Sequence, residues 1–103
     1  MIKVSVLYEN TEGKKFDTAY YFSKHIPMVK QKLGSACRRV EVDQGLGGAQ
    51  PGSKPAFVMI AHMLFDSIDA FQQAFGPHAD AISGDIPKYT DIQPVIQLSD
   101  VKM

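Results

Sequence analysis

The chain has 103 residues, 45% of them hydrophobic and 21% charged, and its 11 basic and 11 acidic side chains cancel. That length supports a single domain over residues 1–103 with one core, and zero net charge leaves no electrostatic footprint for a nucleic-acid partner. One cysteine, Cys37, excludes an internal disulfide framework, and without a leader pattern or an apolar run of membrane-spanning length the expectation is a cytoplasmic protein with no membrane partner.

Ile2 to Tyr8 alternates as a strand, with Ile2, Val4, Val6 and Tyr8 on one face and Lys3, Ser5 and Leu7 on the other. After a turn over Glu9 to Gly13, the spacing predicts one amphipathic helix, capped by Asp17, running to Leu33 and stopped by Gly34. Phe22, Ile26, Val29 and Leu33 form its apolar stripe. His25 lies on the edge of that stripe, and Tyr21 precedes it by one turn. Pro27 has no N–H and crowds the Ser23 carbonyl, so the helix is expected to bend or break there.

Ala36 to Asp43 reads as a second strand, polar on one face and suited to an edge. Residues 44–55 carry four glycines and two prolines. This connection lacks the Gly-Lys-Ser/Thr ending of a phosphate loop and leads into a strand rather than a helix. That strand, Phe57 to Phe65, is apolar on both faces and should be central and covered on both sides. One layer of helices covers only one face, so a second copy of the chain is the economical cover for the other. Asp66 or Ser67 caps a helix over Ile68 to Phe75, and Gly76-Pro77 ends it and opens a short one carrying His78. Ser83 to Pro87 reads as a turn capped by Asp85, and Asp91 to Ser99 as a last strand in which Pro94 marks an edge or a bulge. The order β-α-β-β-α-β with right-handed crossovers predicts an α+β, ferredoxin-like antiparallel sheet with the first and third strands central.

His25 is the leading candidate for catalysis, because a neutral imidazole facing inward can take or deliver a proton near neutral pH. Tyr21 would orient it, and His62, on an apolar strand face, would assist. The structural alternatives are a packed histidine satisfied by one carbonyl, a tyrosine that only packs, and a core or interface histidine. The three histidines have neither the local spacing nor the cysteine pairing of a metal site, and no cofactor motif is present. The aromatic and methionine side chains are core, some of them available to line a pocket for a small hydrophobic ligand.

Phe16-Asp17 with Tyr20-Tyr21 and His25-Ile26-Pro27, Val40 to Asp43 before the glycine-rich loop, His62 to Ser67, Ala70-Phe71, Phe75 to His78 and Gly84 to Thr90 together resemble the EthD family, named for ethyl tert-butyl ether degradation, in the dimeric α/β-barrel superfamily. The resemblance implies a homodimer whose two sheets pack face to face into a barrel with helices outside, and it maps the family's helix histidine onto His25. Three functions follow from it: cofactor-free acid/base chemistry by His25, a non-catalytic accessory or ligand-carrier role beside an ether-degrading monooxygenase system, or haem binding through His25. A carboxylate or second histidine converging on His25 would separate enzyme from carrier.

Overall fold

Alternating side chains make strands of four segments, and these join in one antiparallel sheet in which the second pairs with the third, the third with the first and the first with the fourth. The computed structural model describes residues 1–103, with strands β1 (Ile2–Glu9), β2 (Arg39–Gln44), β3 (Phe57–Phe65) and β4 (Val95–Asp100). Helix α1 occupies residues 18–33, α2 is Ile68–Phe75 and α3 is Ala79–Asp85. The first and third strands are central, as the right-handed crossovers require, and the fold is the ferredoxin-like α+β arrangement. Register pairs Val4 with Met63 and Leu98, and Ser5 with His62 and Gln97.

Helix α1 runs through Pro27 without breaking. Its first turn, Thr18–Tyr20, is capped by Asp17, whose carboxylate accepts the Tyr20 N–H at 3.1 Å. Residues Tyr21–His25 then form a π turn in which the Ile26 N–H reaches back five residues to the Tyr21 carbonyl. Ile26–Leu33 is α-helical, with Pro27 in its first turn, where a missing N–H costs least. Gly34, at φ +62°, ends the helix. The wider π turn takes in an extra residue and moves the inward position from Phe22 to Tyr21. The buried row is therefore Tyr21, His25, Val29 and Leu33, while Phe22 is 44% exposed, which corrects the stripe expected from uniform helical spacing.

Other boundaries differ for local reasons. The residues before β2 close a 3₁₀ turn, Gly34–Ala36, so the strand begins at Arg39. Ser83 to Pro87 is helical rather than a turn, because α3 continues into a 3₁₀ turn, Ile86–Lys88, that accommodates Pro87 at its start. β4 starts only after Pro94, which cannot donate to a ladder, and lies at a sheet edge. Gly45 opens the long connection because a Cβ there would meet the Phe57 carbonyl oxygen at 2.2 Å.

All three helices lie on one sheet face. Val4, Val29, Leu33, Met63, Phe65 and Ile82 make an aliphatic cluster, and Tyr8, Tyr21, Met59, Tyr89 and Ile92 a second, tyrosine-rich one. The opposite face carries Leu7, Ile60, His62 and Leu64, only partly buried, with no helix packed on it. The shifted helical register has a measurable consequence. In urea unfolding at one protein concentration, Leu33→Ala should cost about 2–5 kcal/mol, whereas Phe22→Ala should stay within about 1 kcal/mol. Equal losses would place Phe22 in the core and restore a uniform α-helix.

Candidate active site

The π turn brings Tyr21 and His25 onto the helix face turned toward the sheet. A second segment is clamped against the start of α1, where the Asp17 N–H donates to the Tyr89 carbonyl at 2.7 Å and Phe16 bridges Thr90. The end of α3 completes the cluster with Asp85, 60 residues along the chain from His25. His25 Nδ1 lies 2.9 Å from Asp85 Oδ2, with side-chain exposures of 6% and 12%. The other carboxylate oxygen, Oδ1, accepts the Tyr20 hydroxyl at 2.8 Å and has Lys88 Nζ at 3.8 Å. His25 Nε2 is 3.3 Å from the Tyr89 hydroxyl, which in turn is 2.6 Å from that of Tyr8.

The chemistry of the end groups sets the direction of this chain. An ionised carboxylate only accepts, so Nδ1 carries the proton and neutral His25 presents a lone pair at Nε2. Tyr89 then donates to Nε2, and Tyr8 donates to Tyr89. Burial lowers the His25 pKa below the usual histidine value, against the Asp85 hydrogen bond and charge, which raise it. Burial pushes Asp85 upward, but the hydrogen bonds from His25 and Tyr20, with the neighbouring positive charge, outweigh it and hold the carboxyl below its ordinary range. Burial raises Tyr8, Tyr21 and Tyr89, with a further rise for Tyr21 and Tyr89 from the neighbouring Tyr8, so all three remain hydroxyl donors at neutral pH. The Tyr21 ring stacks on the imidazole at 5.7 Å and 17°, and its hydroxyl stands outside the chain of hydrogen bonds.

An apolar cavity of about 100 Å³ lies between the helices and the sheet. His25, Tyr8, Tyr21 and Ser83 supply its few polar groups, and Val4, Ala61, Met63 and Ile82 are among its aliphatic walls. A haem does not fit here: Nδ1 is held by Asp85, Nε2 faces Tyr89, and the space is well below that of an ordinary cofactor pocket, roughly 300–1,000 Å³. No three His, Cys, Asp or Glu side chains converge as a metal site.

His62 does not join His25. Strand parity puts it on the opposite sheet face, where Nδ1 is 2.9 Å from Ser5 Oγ and Nε2 is 3.7 Å from Asp43 Oδ2. The order Ser-His-Asp is that of a hydrolase, but 3.7 Å exceeds a hydrogen bond and the Asp43 side chain is exposed. Asp85, read as a turn cap, and Tyr8, read as a strand residue, join the His25 cluster together with Tyr20 and Tyr89, to which sequence reasoning gave no role. The signal available for them was the density of tyrosine and aspartate in segments flanking prolines, which does not say where those segments meet.

The EthD domain model matches residues 11–93. An EthD-like protein from Ralstonia eutropha JMP134 superposes with a TM-score of 0.94 at 49% identity, over 99% of this chain and 92% of that one. An ethyl tert-butyl ether degradation family protein from Bacillus halodurans C-125 gives 0.75 at 23% identity, over 99% of both chains. A protein from Bacteroides fragilis, described as dimeric, of unknown function and ferredoxin-like in fold, gives 0.60 at 17% identity over 97% and 95%. No curated protein matches the chain.

The lowered pKa of His25 makes stability depend on pH with a definite sign. Below the ordinary histidine value of 6.5, the unfolded chain binds a proton that folded His25 resists, so acidification favours unfolding. Asp85 adds a second loss of the same sign only as pH falls through 3.8 and below. Thermal melting from pH 7.5 to 5 should show the midpoint falling, with a smaller fall in His25→Gln. A midpoint in the parent that rises on acidification would mean that His25 is stabilised as the cation.

Proposed function

This chain belongs to the EthD family, and from that premise we propose that it is a small cytoplasmic homodimer that carries out cofactor-free acid/base chemistry on a small hydrophobic molecule, with His25 as the base. One observation carries this proposal: the 2.9 Å contact of Nδ1 with the Asp85 carboxylate, which leaves Nε2 as the proton acceptor beside an apolar cavity. Asp85 holds the tautomer and would stabilise the imidazolium once Nε2 is protonated. Tyr21, stacked on the ring, offers a protonated hydroxyl to a substrate oxygen.

The hydroxyl pair Tyr89–Tyr8 suits this role. When the Tyr89 hydroxyl turns its proton from Nε2 to the Tyr8 oxygen, the lone pair of Nε2 is freed. Tyr8, which lines the cavity, can then point its own proton at the ligand. Base and donor are released by the same rotation of hydroxyl protons. A base at one side of a substrate and phenolic donors for a developing oxyanion fit proton removal from carbon next to a carbonyl. The proton goes to Nε2, the electron pair moves onto the carbonyl oxygen, and return of the proton gives the isomerised or exchanged product. His62, on the far face, has no part in this chemistry and belongs to the dimer surface.

Dimerisation is proposed from the open sheet face, where Leu7, Ile60 and Leu64 lie on the central strands without cover from the chain itself. The lone free thiol, Cys37, suits a reducing compartment, and no helix is long and apolar enough to cross a membrane. Native mass spectrometry should report a dimer that Ile60→Glu converts to monomer; a monomeric parent would overturn the proposed pairing. Deuterium exchange of the α-protons of acetophenone, followed by NMR, should be accelerated by the parent and reduced about 10²–10⁴-fold by His25→Gln, with a loss of at least about tenfold in Asp85→Asn. Binding with no acceleration of exchange would favour the ligand-carrier role instead.

A further inference from the structure

The apolar cavity is not a closed chamber. Ser83, Ile86, Pro94 and Ile96 line both it and an outer groove of about 470 Å³, built from the end of α3 and the segment leading into β4. The two compartments differ in chemistry. The inner one is almost wholly aliphatic and aromatic, whereas the outer one adds four polar side chains, Ser83, Thr90, Asp91 and Gln93, to isoleucines and prolines.

Two of those polar groups are already engaged. The Thr90 hydroxyl donates to the Lys15 carbonyl and accepts the Ile92 N–H, and the Asp91 carboxylate accepts the Lys15 N–H at 2.8 Å. The groups left for a ligand are the Ser83 hydroxyl and the Gln93 amide, both uncharged. Neither compartment is lined by lysine or arginine, and Asp91 is among the residues of the groove. An anionic tail would meet the Asp91 carboxylate with no cation in the lining itself, since Lys14 and Lys15, whose charges help to hold Asp91 below its ordinary range, stand outside it.

Resting on the acid/base proposal above, we propose that the substrate is a bipartite, uncharged molecule: an apolar ring bearing a carbonyl in the inner cavity beside His25, and a neutral hydrogen-bonding tail that leaves past Pro94 and Ile96 into the groove, where Gln93 and Ser83 bind it. The ligand enters as a free molecule rather than as a phosphate, a carboxylate or a thioester of a phosphorylated carrier, because each of those brings negative charge to the groove.

Three probes of one ring size test this: acetophenone, the same ketone with a para 2-hydroxyethoxy tail, and 4-acetylphenoxyacetate, which replaces the terminal alcohol with a carboxylate. Dissociation constants come from NMR titration of the dimeric protein. The alcohol-tailed probe should bind about tenfold or more tightly than the carboxylate. Gln93→Ala should weaken the alcohol-tailed probe by about 3–10-fold, the loss of one neutral hydrogen bond, and leave acetophenone unchanged. Equal or tighter binding of the carboxylate, indifference of the tailed probe to Gln93→Ala, or failure of all three to bind would overturn the bipartite site. Exchange measured on the same samples separates the two proposals. Lost tail discrimination with exchange intact removes only the groove, and tail discrimination without exchange removes only the acid/base role.

Discussion

A proline without an N–H, placed nearly two helical turns after a pair of tyrosines, governs where the His25 imidazole points. In an unbroken α-helix, Pro27 would leave the Ser23 carbonyl without its donor and press against it. The helix instead widens into a π turn over Tyr21–His25 and restarts at Ile26, with Pro27 where an N–H is not needed. The extra residue rotates Tyr21 and His25 onto the buried face and Phe22 off it. Every other feature of the site takes its position from that rotation: the stacking of Tyr21 on the imidazole, the reach of Nδ1 to Asp85, and the exposure of the ring to the cavity.

The hydrogen-bond chain Tyr8–Tyr89–His25–Asp85 is polarised because its last member can only accept. Burial raises the tyrosines and lowers the histidine, so at neutral pH the resting state contains one anion, one neutral base and several hydroxyl donors. Lys88 and Tyr20 hold the carboxylate at the rim of the site, where its desolvation is incomplete. These groups form a base with a fixed tautomer rather than a buried ion pair, since burial of His25 outweighs the pull of the carboxylate.

The two faces of the sheet have separate tasks. The helix face holds the core, the cavity and the titratable cluster. The other face, with Leu7, Ile60, His62 and Leu64, has no cover within the chain. His62 and His25 are thus divided by the thickness of the sheet, although both sit among apolar residues. The same two-sided apolar character of β3 that suggested a partner subunit also explains why His62 cannot serve the cavity, because side chains of alternating parity never meet through a strand.

Sequence alone determined the element order, the central place of the first and third strands, the cap at Asp17 and the stop at Gly34, and it narrowed the second cap to Asp66 or Ser67, of which Ser67 is the one used. These follow from patterns of period two and 3.6 and from local proline and glycine chemistry, and a dozen or so neighbouring residues suffice to express them. It also supplied the criterion of a carboxylate converging on His25. Only the tertiary structure decided that Asp85, which read as a turn cap, is that carboxylate, and that Tyr8 and Tyr89, 81 residues apart, share a hydrogen bond. It also decided that Tyr21 rather than Phe22 faces inward. Contacts of that kind arise from how α3 and the segment after it fold back over the start of α1, and a one-residue change in helical register leaves no mark in hydrophobic spacing when both candidates are aromatic.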